Sequence, residues 1–382
     1  MSEKDTLVKN IPLMLVNLSE EDIEEVANVL RTGMLVQGKN VEKLENALKS
    51  YLGVKNVIAA SNGTATLHMA LIALGIKEGD EVIVPAFSYI ATANVVELVG
   101  ATPVFVDIEL ETFNLNVKQV EDKITNRTKA IIPVHEFGLI SDMEALKKIG
   151  NKKNIYIIED AACALGATLK GQHSGTFGNI GSFSLHPRKA ITSGEGGLLT
   201  TNDDELARKL RILRNHGIEY TNGKMEFVAA GFNYRMTDFQ AALVHSQFNR
   251  LESMLGKKRA LAAKYHDLLK NIPHILQPIA PKNFEHSWQT YHVVLSDNID
   301  RNQLIADLKK EGIGTNYGAQ CIPLQLYYQE KYKLNSYELF PNAVKAFLHG
   351  LALPLYSTMS ILDIERVVNT LTKLIFETNL NE

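Results

Sequence analysis

The chain has 382 residues, of which 45% are apolar and 22% charged, with a formal net charge of −3; this is ordinary for a globular protein and predicts a large core and two domains. No block of basic residues supports nucleic-acid binding, and the longest apolar stretch, residues 82–106, is broken by polar residues, glycine and proline and does not suit a membrane span. Two cysteines, Cys163 and Cys321, make neither a disulfide framework nor a metal site.

The chain begins with MSEKDTLVKN, which lacks the apolar core of a signal peptide, so we expect a cytoplasmic protein. A first helix is predicted over residues 19–30, because Ser19 and Asp22 have the spacing of a capping box and the apolar residues share one face. Gly33 is expected to end this helix. A second helix is predicted over residues 41–52.

The next part of the chain alternates short apolar runs with helical patterns, including helices over residues 65–74 and 90–99. Strands alternating with helices predict an α/β fold with a mostly parallel sheet covered on both faces. Ligands of such sheets bind beyond the carboxyl ends of the strands. The predicted strands are residues 57–60, 81–85, 102–106, 129–134, 155–158, 182–185 and 198–201.

Asn62, Gly63 and Thr64 lie where the first of these strands gives way to a helix. Free backbone N–H groups and the helix dipole favour a phosphate at such a point, and glycine lets the backbone approach the ligand closely. A plain helix cap, with Ser61 or Thr64 as the capping residue, explains the same residues. Both interpretations stay open.

Two other strand ends carry candidate ligand contacts. Phe87 follows the second strand, where an aromatic ring can stack on a flat ligand or belong to the core. Asp160 follows the apolar run IYII, where a carboxylate is costly unless it has a partner. The protonated ring nitrogen of a cofactor would be such a partner, and a helix cap or an internal salt bridge would be others.

Residues 181–202 read GSFSLHPRKAITSGEGGLLTTN and place Lys189 on a loop between two predicted strands. Lysine is seldom buried, and burial or a neighbouring cation lowers its pKa and makes the amine a nucleophile able to form Schiff bases. A surface hairpin with a solvated lysine has the same local pattern. The lysine is therefore a candidate catalytic group that needs support from the rest of the chain.

The remaining pattern predicts a helix over residues 204–214 and a long helical stretch that runs from residue 238 to residue 269. We place the domain boundary within that stretch, giving a large domain of residues 1–250 and a small domain of residues 251–382. The small domain is expected to be α+β. Its predicted elements are a strand over residues 290–295, a helix over 301–311 capped by Asp300, and a closing helix over 361–376.

Four segments in this order resemble the DegT-type sugar aminotransferases: SNGTATLHMAL, IIEDAACALGA, SLHPRKAITSGEGG and GFNYRMTDFQAAL. The resemblance extends from about residue 11 to about residue 371. It implies the aspartate-aminotransferase fold (fold type I), pyridoxal 5′-phosphate (PLP) as the cofactor, and the amination of keto sugars that are usually nucleotide-linked.

The resemblance also assigns roles to residues of this chain. Lys189 matches the lysine that binds the cofactor covalently and then moves the proton, and Asp160 matches the carboxylate that pairs with the pyridine nitrogen. Phe87 matches the aromatic residue that stacks on the cofactor ring. Phosphate contacts are implied for Gly63, Thr64 and Ser184.

Asn233 matches a residue that reaches the phosphate of the neighbouring subunit's cofactor, which implies a homodimer with shared active sites. Further candidates for substrate binding are Arg235, suited to a carboxylate, His186, and Tyr317 in a loop that bears on substrate choice.

The chain departs from the family pattern at Cys163, where glutamine often binds the phenolic oxygen of the cofactor. Cys163 is kept among the candidate cofactor-binding residues because of its position, although a small apolar filler is the simpler interpretation of a cysteine there. Glu136 also departs, since leucine is common there.

Two features narrow the expected chemistry. Lys189 favours transamination, because relatives with histidine at this point are sugar dehydratases, and the turn GEGG at 194–197 resembles the group acting on 4-keto sugars. We expect transfer from L-glutamate to a nucleotide-linked 4-keto-6-deoxy hexose, for a surface glycan such as the O-antigen of lipopolysaccharide. The alternatives are a PLP-dependent sugar dehydratase and a non-catalytic regulatory protein of the same fold. No G-x-G-x-x-G follows the first strand, which disfavours a nicotinamide-dependent dehydrogenase.

Overall fold

The computed structural model describes residues 10–379, so residues 1–9, on which most of the signal-peptide prediction falls, lie outside the described residues. Short 3₁₀ turns occur at Val117–Gln119, Glu136–Gly138 and Ile322–Leu324. No helix within residues 10–379 is long and apolar enough to cross a membrane. The helices are α1 (Glu20–Thr32), α2 (Lys39–Leu52), α3 (Gly63–Ala73), α4 (Ala91–Leu98), α5 (Val120–Lys123), α6 (Met143–Lys153), α7 (Asp204–Arg214), α8 (Asp238–Phe248), α9 (Leu251–Leu269), α10 (Arg301–Lys310), α11 (Leu326–Tyr332), α12 (Ser336–Leu339), α13 (Pro341–His349) and α14 (Ile361–Asn379).

The strands of the described chain are short, with no more than five residues each. They are β1 (Asn56–Ala60), β2 (Glu81–Pro85), β3 (Phe87–Ser88), β4 (Thr102–Val106), β5 (Thr128–Ile131), β6 (Tyr156–Asp160), β7 (Thr168–Leu169), β8 (Gln172–His173), β9 (Ile180–Ser184), β10 (Gly197–Thr201), β11 (Ile218–Thr221), β12 (Lys224–Phe227), β13 (Ile275–Leu276), β14 (Phe284–Glu285), β15 (Tyr291–Leu295), β16 (Gln320–Cys321) and β17 (Gly350–Leu353). Each predicted strand of the large domain has a counterpart among them.

A seven-stranded sheet forms the centre of the large domain, in the order β1-β10-β9-β6-β5-β2-β4. Strand β10 pairs antiparallel with both of its neighbours, and the other pairs are parallel. Strands β2 and β10 are buried along their whole length, as expected of a sheet covered by helices on both faces. The predicted α/β class and mostly parallel sheet are confirmed.

Helix α1 begins as the sequence predicts. Ser19 Oγ accepts a hydrogen bond from Asp22 N at 3.3 Å, and Asp22 Oδ2 accepts one from Ser19 N at 2.8 Å, which completes the capping box. Gly33 ends the helix with φ of 71°, a left-handed conformation that costs glycine little. Asp22 also accepts hydrogen bonds from Ser246 and Arg250, so the same carboxylate ties α1 to the region of α8.

The prediction of one long helical stretch from residue 238 to residue 269 is wrong in one respect. The stretch consists of two helices, α8 and α9, separated by Asn249 and Arg250. The start of α9 packs in the core of the large sheet through Leu251 and Leu255. Its later turns pack in a separate core around β15 and α14, through Leu261 and Tyr265 among others. The helix thus joins two cores, and the predicted boundary at residue 250 stays a prediction.

The C-terminal part contains an antiparallel sheet, β13-β15-β17, which shares a hydrophobic core with α10 and α14. It also returns to the large sheet, because β16 pairs with β3, with Cys321 opposite Phe87. This pairing brings the loop that contains Tyr317 close to the edge of the sheet at which the parallel strands end.

Candidate active site

The candidate site residues follow strands that end at one edge of the central sheet. Asp160 is the last residue of β6, Ser184 is the last residue of β9, and Lys189 lies on the loop after β9. Strand β1 is separated from β9 by the antiparallel strand β10, so its carboxyl end lies at the same edge, followed by Gly63. The chain topology therefore collects groups from three separate segments at one place.

The Lys189 loop has a defined shape, which the local sequence provides. Lys189 N donates to His186 O at 2.9 Å, and His186 Nδ1 accepts a hydrogen bond from Arg188 N at 3.3 Å. The base of the loop is closed by Thr192 Oγ1 and Ser193 N, which both donate to the carbonyl oxygen of Leu185. His186 thus shapes the turn, and its predicted contact with substrate stays a prediction.

The side chain of Lys189 points into the site. Its Nζ donates a hydrogen bond to Cys163 Sγ at 3.1 Å, and the residue is half-buried. The alternative of a solvated surface lysine does not describe this geometry. Cys163 is therefore more than an apolar filler, since its sulfur accepts a hydrogen bond from the catalytic candidate. Burial raises the pKa of the Cys163 thiol, while Lys189 acts in the opposite direction.

Asp160 is a buried carboxylate with only neutral donors. It is 5% exposed, Oδ2 accepts from Thr92 Oγ1 at 2.8 Å, and Oδ1 accepts from Ala162 N at 3.2 Å. Among the residues that the structure describes, it makes no salt bridge and caps no helix. Burial raises the pKa of this carboxyl group, and the hydrogen bonds from Thr92 and Ala162 and the charges of Lys189 and His135 offset that rise only in part. Within residues 10–379, Asp160 therefore has no positively charged hydrogen-bond donor, and the protonated pyridine nitrogen of a cofactor would supply one.

Gly63, Thr64 and Ser184 form a cradle at the start of α3. A Cβ atom on Gly63 would lie 2.9 Å from the Cβ of Ser184, so only glycine permits this close approach of helix and strand. The predicted caps, Ser61 and Thr64, are wrong: Asn62 caps α3, and its Oδ1 accepts a hydrogen bond from Ala65 N at 2.8 Å. Thr64 is exposed, and the first N–H groups of α3 have no acceptor within the helix, which suits an anion such as phosphate.

Lysine, buried carboxylate and phosphate cradle together fit PLP. The cofactor carries an aldehyde for the amine of Lys189, a basic ring nitrogen for Asp160 and a phosphate for the start of α3. Hydrogen bonds or close packing within the protein hold each of these groups in place without a ligand. The site therefore has a partner for each of the three reactive groups of PLP, and the role of each single residue stays a prediction.

Phe87 lies in a different environment from the one predicted. It is 0% exposed and packs with Phe113, Phe137 and His292, whose ring centroids are each 6.1 Å from its own. Tyr89, two residues later, is 66% exposed and directly precedes the start of α4. Tyr89 offers the free ring face that Phe87 lacks, and the stacking role of Phe87 stays a prediction.

The structure does not bring three other candidates to Lys189 within one chain. Asn233 is exposed and pairs with Asn215, whose Oδ1 accepts a hydrogen bond from Arg235 Nη1 at 2.7 Å. Tyr317 packs edge-on against Phe347, with the guanidinium of Arg301 5.8 Å from its ring centroid. No hydrogen bond joins these three residues to Lys189 or Asp160 in the described part of the chain, so their roles stay predictions.

Sequence reasoning missed two residues of the site. Thr92 binds Asp160 across 68 positions of sequence, and a threonine inside a predicted helix carries no signal of such a contact. Lys258 lies on α9, only 8% exposed, and lines a cavity of about 50 Å³ together with Lys189 and Arg188. No acidic residue lines this cavity. Burial lowers the pKa of Lys258 to about 8, and the charge of Lys189 acts in the same direction.

Comparison with known proteins agrees with this geometry. Residues 16–372 match the DegT/DnrJ/EryC1/StrS aminotransferase family. The chain is 39% identical over 341 residues to the GDP-perosamine synthase of Caulobacter vibrioides, covering 88% of this chain and 91% of that protein. It is 34% identical over 378 residues to the spore coat polysaccharide biosynthesis protein SpsC of Bacillus subtilis, covering 96% and 97%.

A solved structure extends the comparison to the cofactor. Spr1654 of Streptococcus pneumoniae in its PMP form superposes with a TM-score of 0.93 at 30% identity, covering 97% of this chain and 99% of that one. Its PLP form superposes with a TM-score of 0.92. PLP and PMP are the two forms of the cofactor that a transaminase uses, so the predicted fold type and the predicted cofactor are both confirmed.

Proposed function

This chain belongs to the DegT/DnrJ/EryC1/StrS aminotransferase family and is a PLP-dependent enzyme, and we propose that it transfers an amino group from L-glutamate to a nucleotide-linked 4-keto-6-deoxy hexose. The observation that carries the proposal is the amine of Lys189, held 3.1 Å from Cys163 Sγ in the same site as the buried Asp160. A dehydratase of this fold would have histidine in place of the lysine. A regulatory copy of the fold would have no need of either group.

Different residues of this chain have different roles in the proposed transamination. Bound PLP supplies an electron sink for the carbanion formed at the substrate carbon. Lys189 removes a proton from one carbon and returns it to another, which requires the amine in its neutral form once it is free. Asp160 keeps the ring nitrogen of the cofactor protonated, and the start of α3 with Ser184 holds the phosphate. Phe87 remains the predicted ring for stacking on the cofactor, and Tyr89 is a second candidate because its ring is exposed.

The cavity beside Lys189 supports an acidic amino donor. Arg188 and Lys258 line it with Lys189, no acidic residue offsets them, and no hydrogen bond of Lys258 is found among the described residues. Buried cations without partners are costly, so an anion that enters this cavity relieves that cost. L-Glutamate carries two carboxylates, one of which would lie close to the carbon from which Lys189 takes the proton.

Glutamate is expected to bleach the visible band of the purified holoenzyme, and a keto-sugar nucleotide is expected to restore it. Lys258→Met should raise the glutamate concentration needed for half-bleaching by about 10-fold or more, the cost of one charge-assisted hydrogen bond. The concentration of keto-sugar nucleotide needed to restore the band should change less. A stopped-flow absorbance titration measures both effects.

Lys257→Met is the matched control, because Lys257 is the exposed neighbour of Lys258 on the same helix and the variant loses the same charge. Bleaching that is equally impaired in both variants would remove the role of the cavity. A yellow protein that ignores glutamate but releases a deoxygenated keto product from the sugar nucleotide would replace transamination by dehydration.

The choice of sugar rests on likeness to other proteins. The GDP-perosamine synthase is named for a nucleotide-linked amino sugar, and SpsC is named for polysaccharide biosynthesis. The GEGG turn at 194–197 adds support for a 4-keto substrate. We therefore place the product in the supply of amino sugars for a surface glycan such as an O-antigen. The two cysteines are free, which suits the reducing cytoplasm that we propose as the location.

We further propose a homodimer in which each subunit completes the other's site. The hairpin β11-β12 exposes Tyr220 and Phe227 on one of its faces, at 71% and 67%. Large apolar side chains exposed together in this way are typical of interfaces. Asn233 is also exposed, and its backbone pairs with that of Asn215, so its side chain is free to reach a second subunit.

Mixed dimers test the sharing of sites. Asn233→Ala is expected to weaken cofactor retention by about 10-fold, the loss of one hydrogen bond to a charged group. Dimers formed from a Lys189→Ala subunit and an Asn233→Ala subunit should recover one intact site, because the intact Asn233 then serves the intact Lys189. Activity of the mixture that never exceeds that of Asn233→Ala alone would place Asn233 in its own subunit's site. Light scattering gives the mass of the dimer.

A further inference from the structure

The turn after β5 holds Glu136 in a fixed position. Glu136 N donates to Asn114 Oδ1 at 3.0 Å, and Asn114 Nδ2 donates to Leu139 O at 3.1 Å, so one amide bridges both ends of the turn. Gly138 N closes the turn on His135 O at 3.1 Å. The backbone at Glu136 is therefore set by the protein itself and does not wait for a ligand.

The carboxyl group of Glu136 is buried without a full set of partners. The residue is 5% exposed, and its Oε2 has no hydrogen-bond partner among the described residues. A buried polar atom in this condition is rare and costs free energy, unless a bound group supplies the partner. The active site is where such a group binds, so the unpartnered oxygen points to a ligand contact.

The neighbours of Glu136 are the site residues themselves. A Cβ atom on Gly138 would lie 3.1 Å from the carbonyl oxygen of Cys163, so the turn packs directly on the segment that receives the Lys189 hydrogen bond. The groups that act on the Glu136 carboxyl are Asp160, Lys189, the hydroxyl of Ser88 and the backbone N–H of Phe137. Burial raises the pKa of Glu136 to about 8, and Asp160 adds to the rise, while Lys189, Ser88 and the Phe137 N–H oppose it.

A neutral carboxylic acid has an O–H to donate, which an ionised carboxylate lacks. In PLP the phenolic oxygen is on the ring carbon next to the one that carries the aldehyde, so it lies beside the nitrogen of the lysine that reacts there. The groups around Lys189 Nζ are thus the groups around that oxygen. Cys163 is one of them, but a thiol is a weak donor, and its sulfur already accepts a hydrogen bond from Lys189.

We propose that Glu136 is a cofactor-binding residue that, as a neutral carboxylic acid, donates a hydrogen bond to the phenolic oxygen of PLP. It supplies the strong donor that Cys163 cannot. A donor at this oxygen stabilises its negative charge, and so favours the form of the lysine-bound cofactor that has lost its proton. This hydrogen bond involves the cofactor alone and does not depend on which amino donor or sugar the enzyme uses.

The test is a pH titration of the visible band of the holoenzyme, without substrate. Glu136→Leu removes the donor and is expected to raise the midpoint of the spectral change by about one pH unit, which one hydrogen bond accounts for. Glu136→Gln keeps an N–H donor and should shift the midpoint less. Adding Cys163→Gln to Glu136→Leu should move the midpoint back, because the new amide supplies a donor at the same oxygen. Glu109→Leu, at an exposed site, is the control.

An unchanged midpoint in Glu136→Leu would show that the carboxyl does not contact the oxygen, and a lower midpoint would show that Glu136 is ionised. A second measurement uses Glu136→Gln and no cofactor. Because the raised pKa makes the native apoprotein hold a proton that the unfolded chain releases above its ordinary value of 4.5, wild-type Tm should fall relative to Glu136→Gln between about pH 5 and pH 8. A constant difference in Tm across that range would overturn the neutral acid.

Discussion

Replacing Lys189 by alanine is expected to lower kcat by about 10⁴-fold or more, the upper range for loss of a general acid–base, and to leave the fold intact. The loss is large because the same amine binds the cofactor and moves the proton. The fold should survive, because within residues 10–379 the Lys189 side chain makes a single hydrogen bond, to Cys163 Sγ. Turnover with glutamate and a keto-sugar nucleotide measures kcat, and thermal unfolding and circular dichroism show whether the fold is intact.

Two controls sharpen this experiment. Lys209→Ala changes an exposed lysine on α7 and should leave turnover unchanged. A small primary amine added to Lys189→Ala should restore part of the proton transfer, since it enters the space left by the side chain, and it should do nothing for a misfolded protein. Normal turnover of Lys189→Ala would remove the central assignment.

Replacing Asp160 by asparagine is expected to lower the rate of the glutamate half-reaction by about 10²- to 10³-fold, the usual cost of one electrostatic group in an active site. Asparagine has nearly the same shape, and its side-chain oxygen can still accept the hydrogen bond from Thr92 Oγ1. What it lacks is the negative charge that keeps the cofactor's ring nitrogen protonated. Single-turnover absorbance with glutamate isolates that step.

The same variant should gain stability as an apoprotein at neutral pH. Burial raises the pKa of Asp160 above its ordinary value of 3.8, so the native state holds a proton that the unfolded chain has released, and wild-type stability falls as pH rises through that window. Asparagine does not titrate, so the stability of Asp160→Asn does not fall in this way. The Tm of the variant minus the Tm of wild type should therefore increase from about pH 4 upward. An Asp160→Asn protein that keeps the wild-type rate and loses stability would assign the carboxylate a structural role only.

Predictions that rest on neighbouring residues agree closely with the structure. The strands Glu81–Pro85 and Thr102–Val106 and the helix Asp204–Arg214 have the predicted bounds, because a strand or an exposed helix face repeats its pattern within a few residues. The capping box of α1 is also local. The cap of α3 is as local, but Asn62 and not Ser61 or Thr64 makes it, because several adjacent residues are chemically able to cap and the sequence does not distinguish them.

The break between α8 and α9 could not be read from periodicity. The apolar spacing continues through the break. Arg250, however, donates a hydrogen bond to Asp22, on a helix more than 200 positions earlier, and α9 then passes from one hydrophobic core to another. Burial of Phe87 has the same origin. Its partners, Phe113, Phe137 and His292, come from three distant segments, so no pattern around Phe87 indicates that its ring is enclosed.

By itself, the sequence determined the α/β class, the sheet that presents Asp160 and Lys189, and the family that implies PLP. These depend on local periodicity and on motifs that lie within short segments. Only the tertiary structure decided that Lys189 meets Cys163, that Thr92 holds Asp160, and that Glu136 is buried with an unpartnered oxygen. The physical reason is that parallel strands end at one edge, so groups far apart in the chain become neighbours whose charges and hydrogen bonds no single segment contains.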